Sequence, residues 1–112
     1  MHRIEWHFLP AEQHLGEFLA AYGADGDWVR LFRRGAGYLG TELQPLPGRP
    51  GWYRCIDRWR SAEDYARFRQ GHAADYAALD RACERLTREE VPADVAVFPS
   101  PASRERGGGE GP

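Results

Sequence analysis

The strongest constraint in this chain is a run of seven side chains spaced by threes and fours: Tyr65, Phe68, His72, Tyr76, Leu79, Cys83 and Leu86. That spacing draws one stripe along a helix. A straight helix over 62–87 would be ~39 Å long at 1.5 Å per residue. A domain of at most 112 residues is hardly that wide. Gly71 interrupts the run, so the pattern predicts two helices sharing one seam. Ser61-Ala-Glu-Asp64 opens the first of them as a capping-box-like start, with Asp at the usual Glu position.

A helix pair with one apolar face needs a second layer to cover it. The rest of the chain supplies strands. Residues 3–8 alternate, with Ile4, Trp6 and Phe8 on one side and Arg3, Glu5 and His7 on the other. Pro10 closes that strand, and Leu15, Phe18, Leu19 and Tyr22 form a helical stripe ending at Gly23. After GADGD, Trp28–Phe32 predicts one or two further helical turns. Strands are expected at about Gly37–Leu43 and at Trp52–Trp59, separated by the turn region PLPGRPG. A short last strand is expected over Asp94–Phe98. The Pro-, Gly- and Ser-rich residues 99–112 predict a disordered tail after a single domain of residues 1–98. The order β-α-β-β-α-β is that of an α+β, ferredoxin-like antiparallel sheet. Trp52 and Ile56 alternate with Tyr53, Cys55, Asp57 and Trp59, so aromatic surface is expected on both sheet faces. A second subunit is the expected cover for the outer one.

GAGYLG, Gly35–Gly40, has the G-x-G-x-x-G spacing of a dinucleotide-binding turn. Such a turn must follow a strand and open a helix, because the phosphate rests on the helix N-terminus. Here the glycines follow a helical segment and lead into a strand. The dinucleotide reading fails on context. Glycines at a strand head allow a bulge or a close approach to the backbone.

Composition removes other classes. The net charge of −2 gives no electrostatic reason to expect nucleic acid or an anionic membrane. All fifteen basic residues are Arg, which excludes a Schiff-base or P-loop lysine. Cys55 and Cys83 are too few and too far apart in sequence for a C-x-x-C pair or a zinc knuckle, so no metal is expected. The N-terminus has no apolar signal region and no segment reaches membrane-span length. A cytoplasmic chain with reduced thiols is the expectation.

GDWVRLFRR, GYLGTEL, YRCIDRWRSAEDYARF and ADYAALDRACERLT together resemble the antibiotic biosynthesis monooxygenase (ABM) domain proteins over Ile4–Phe98. The resemblance implies a ferredoxin-like domain whose homodimer joins two sheets into an α/β barrel. Each subunit would hold a pocket between its sheet and its own helices. It also implies cofactor-independent oxygenation of polyketide-type phenols or anthrones. The quinone-forming members use a Trp near the end of the third strand, a Tyr six residues on and an Asn four residues before the Trp. Trp59 and Tyr65 match, but Cys55 stands where the Asn would be. The haem-degrading branch needs an Asn, and this chain has none; Phe68 and Ala78 also replace its Trp and His.

Oxygenation without flavin or metal needs a base, donors to an oxyanion, and aromatic walls. Trp59 and Tyr65 are the candidate donors. His72 is the candidate base by its near-neutral pKa, against the alternative of a helix-break histidine bonded to backbone. Asp57, on the strand face of Cys55 and Trp59, is a second candidate base or an orienter, against an ion pair with a nearby Arg. Tyr53, Cys55, Phe68, Tyr76 and Tyr38 are the expected pocket lining. A binding or accessory protein that holds a small hydrophobic molecule on the same scaffold is the alternative function.

Overall fold

The computed structural model describes residues 1–93. Four strands, β1 (His2–Pro10), β2 (Tyr38–Pro45), β3 (Tyr53–Trp59) and β4 (Thr87–Pro92), form one antiparallel sheet in the order β2-β3-β1-β4. Helices α1 (Leu15–Tyr22) and α2 (Asp27–Phe32) lie between β1 and β2, and α3 (Ala62–Gly71) and α4 (Ala73–Cys83) between β3 and β4. This is the ferredoxin-like arrangement. The seam does break at Gly71: His72 leaves helical geometry, ends α3 and begins α4. The last described strand starts at Thr87, earlier than expected. The predicted strand Asp94–Phe98 and the predicted tail fall outside the described residues. No helix among the described residues is long and apolar enough to cross a membrane.

Strand register fixes what the helices cover. Across β2, β3 and β1 the helix-facing side chains form rows: Tyr38, Trp59 and His2; Thr41, Asp57 and Ile4; Leu43, Cys55 and Trp6. Trp59, Phe8 and Phe18 are fully buried there, and Phe68, Tyr76, Phe32 and Trp28 close over them. Ile4 and Trp6 also face the helices yet stay half-exposed, so the helix layer is thinner over this part of β1. The β2–β3 register slips between Tyr38 and Gly40, leaving Leu39 with no partner. This is a bulge.

The outer face differs from expectation. Trp52 and Ile56 do point away from the helices, but they are only 8% and 3% exposed within the single chain. Arg49 lies over the Trp52 ring at 4.0 Å. Ile56 sits between Glu5 and Glu42 in register, and those glutamates pair with Arg3, His7 and Arg58. Long charged side chains therefore mask the apolar residues. The face presents charge instead of bare aromatic surface.

The glycines of GAGYLG make room for the protein's own side chains. A Cβ on Gly35 would stand 2.9 Å from Phe68 Cδ1 and 3.0 Å from Trp59 Cη2. Gly37 has φ +93°, and a Cβ there would collide with the Asp64 carboxyl. Asp64, 2% exposed, accepts from Arg60 Nε at 2.7 Å and from Arg67, while its own N–H donates to Ser61 Oγ at 3.0 Å. The bond from Arg60, helped by Arg67 against the cost of burial, holds the Asp64 carboxyl below its ordinary pKa.

Two outcomes follow from this corner. Gly35→Ala should cost about 1–3 kcal/mol in urea unfolding, since overpacking a filled core displaces neighbours. A cost within error of zero would mean the Phe68–Trp59 contact yields freely. Asp64, with a folded pKa below its unfolded value, contributes stability that is complete above the ordinary value of 3.8 and fades as pH falls through the folded value. The thermal midpoint of the wild type should thus drop more steeply below about pH 4 than that of Asp64→Asn, a difference readable by acid titration of circular dichroism.

Candidate active site

The Trp59 indole anchors the helix-facing layer. Phe32, Tyr38, Tyr65 and Phe68 surround it at ring-centroid distances of 5.8, 5.3, 5.4 and 5.1 Å. Its Nε1 is buried and has no hydrogen-bond partner among the described residues. An unmet buried donor costs about 1–3 kcal/mol. Burying a large aromatic surface outweighs that cost, so the fold tolerates it. A ligand oxygen placed against this N–H would recover it.

A chain of polar groups runs beside the indole. Asp57, two residues before Trp59 on the same face, is 6% exposed. Thr41, directly opposite on β2, donates to Asp57 Oδ1 at 2.7 Å. Tyr38 Oη lies 2.5 Å from Thr41 Oγ1. Cys55 Sγ is 3.9 Å from the same carboxylate oxygen. Burial pushes the Tyr38 phenol above its ordinary pKa, and the Asp57 carboxylate adds to the rise. Tyr38 is therefore a neutral O–H at any ordinary pH. The nearby strand arginines pair with other acids: Arg58 with Glu42 at 3.2 Å and Arg60 with Asp64.

Tyr65 caps this end of the layer. Arg69 donates to its oxygen at 3.0 Å, so the phenol proton is left to point elsewhere. The His2 ring packs against Tyr65 in a tilted arrangement, with centroids 5.7 Å apart. Tyr53, Cys55, Phe68 and Tyr76 all belong to the same packed layer, with Tyr53 half-exposed at the far end against Phe18. Trp59, Tyr65, Asp57 and Tyr38 thus come together with the expected lining.

His72 stands apart from them. Its ring touches Phe68 at 5.3 Å, and Phe68 in turn packs on Trp59. Its backbone N–H donates to Phe68 O at 2.9 Å, as a helix-end residue does. The imidazole lines an outer groove of about 190 Å³ with Arg34, Gly35, Asp64 and Arg67. Thr41 is the member that sequence pattern missed. Its signal was parity with Leu43, but pairing with Asp57 requires the strand register. Among the described residues no three His, Cys, Asp or Glu side chains cluster tightly enough to hold a metal.

The crystal structure of PA3566 from Pseudomonas aeruginosa matches this fold with a TM-score of 0.55 at 17% sequence identity, covering 81% of this chain and 87% of that one. At that identity the likeness is one of fold alone. No family model and no curated protein matches the sequence.

Proposed function

We propose that this chain is a cofactor-independent oxygenase of small electron-rich aromatic molecules, phenols or anthrones, of the antibiotic biosynthesis monooxygenase type. The observation that carries the reading is a buried indole N–H without an acceptor among the described residues, two residues from a buried carboxylate on one sheet face. In this reaction the substrate itself supplies the electrons. Asp57 takes a proton from the substrate, and Trp59 N–H and Tyr65 O–H donate to the oxyanion that results. The electron-rich anion then reduces O2. With an anthrone, one oxygen atom becomes the new carbonyl and the other leaves as water with the two hydrogens lost from the ring carbon. The aromatic rings exclude bulk water and strengthen both interactions. A flat substrate would enter on the side where Ile4 and Trp6 are half-exposed.

A second reading is a protein that holds such a molecule without converting it. Two features favour it: Cys55 replaces the amide expected from the resemblance, and Trp59 is completely covered. We also propose that the working unit is a homodimer through the outer sheet face. Its alternating Arg and Glu side chains can complement themselves about a two-fold axis. Arg54 Nε on that face is buried without a partner among the described residues, and an acceptor from a second copy would satisfy it.

The purified protein should accelerate O2 uptake with an anthrone or dihydroquinone. Trp59→Phe should lower kcat by about a hundredfold, the scale of losing one oxyanion donor, with a smaller change in KM. His72→Ala should leave the pH profile in place if Asp57 is the base, and flatten it if the imidazole is. Quenching of tryptophan fluorescence by these compounds with no oxygen uptake would favour the binding protein. Light scattering should give the mass of two chains, and a single-chain mass at tens of micromolar would remove the dimer.

A further inference from the structure

The hydroxyl pair Tyr38–Thr41 has no part in the reading above, and its geometry has a direction. An ionised carboxylate can only accept, so Thr41 spends its one proton on Asp57 Oδ1 at 2.7 Å. The Thr41 oxygen must then accept from Tyr38, whose Oη is 2.5 Å away. Both donors consequently point inward, from the half-exposed phenol to the buried carboxylate. Each link is short enough for a proton to move along it. The β2–β3 register that sets Thr41 opposite Asp57 and Tyr38 opposite Trp59 holds the chain in place.

We propose that Tyr38 and Thr41 form a proton relay that keeps the Asp57 carboxylate ionised and carries any proton it gains out to solvent. When Asp57 takes up a proton, both hydroxyls first turn about their C–O bonds to point outward, and that proton then passes to the Thr41 oxygen. Thr41 passes its own to the Tyr38 oxygen, and Tyr38 releases its own to water. Each hydroxyl ends with one hydrogen and again points inward, as at rest. Thr41 and Tyr38 are positioning residues, since they act through Asp57. The service of this relay to turnover rests on the oxygenase reading, but the relay itself is a property of the unliganded protein.

The test is therefore made on the full chain without substrate. Carbon-13 NMR of the aspartate carboxyls reads the ionisation of Asp57. Infrared spectroscopy after a rapid pH jump reads how fast its carboxyl gains or loses a proton. Thr41→Val should raise the Asp57 pKa by one unit or more and slow the exchange at least tenfold. Tyr38→Phe should slow exchange as strongly with a smaller pKa change, because the Thr41 donor remains. Thr41→Ser restores the hydroxyl and should restore both readings, which separates a lost relay from altered packing. Wild-type exchange rates in Tyr38→Phe, or in a folded Thr41→Val, would overturn the relay. If Thr41→Val does not fold, the Tyr38→Phe and Thr41→Ser readings decide alone. Absent oxygen uptake with normal relay behaviour would remove the oxygenase reading and leave the relay standing.

Discussion

The packing of Phe68 and Gly35 against the Trp59 indole is the contact on which the helix-facing layer depends. It ties α3 to β3 and to the chain entering β2, three segments distant in sequence. A side chain on Gly35 would hold Phe68 off the indole, and one on Gly37 would push Asp64 from its arginines. The glycine-rich stretch is thus the negative image of the helix above it. Its spacing, which elsewhere accommodates a pyrophosphate, here accommodates an aromatic ring and a carboxylate.

Onto that apolar anchor the protein has placed groups that oppose it energetically. Asp57 is buried, and among the described residues the Trp59 nitrogen has no acceptor. A carboxylate and an unmet donor each cost free energy in such surroundings. A fold seeking only stability would place apolar groups at both positions. A buried carboxylate two residues from a buried indole N–H on one strand face marks that face as a candidate site.

The sequence revealed the larger features because they rest on periodicity. The shift from period two to spacings of three and four located the first three strands and the helices, and Gly71 marked the break between α3 and α4. The last described strand escaped because Thr87–Pro92 is an edge strand carrying Arg88, Glu89 and Glu90, with no alternation to read. The covering of Trp52 and Ile56 escaped for a different reason. Parity gives the direction of a side chain, but not whether an arginine from elsewhere will lie across it. Candidate groups within one element, Trp59 and Asp57, could be placed on a common face. Thr41 could not, because its partner is set by pairing between strands, and that pairing contains a bulge.

The bulge also bears on how this scaffold could diversify. In a regular ladder Leu39 would stand opposite Trp59, and the phenol of Tyr38 would face the other side of the sheet. The unpaired residue reverses that choice, leaving Leu39 58% exposed and the phenol beside the indole. Among chains of common descent, a one-residue slip at this point would exchange a hydroxyl for a hydrocarbon next to the carboxylate. Every residue of the site would still be present in the sequence. An alignment column showing an unchanged tyrosine would then conceal the difference, and the strand register would be the heritable trait to compare.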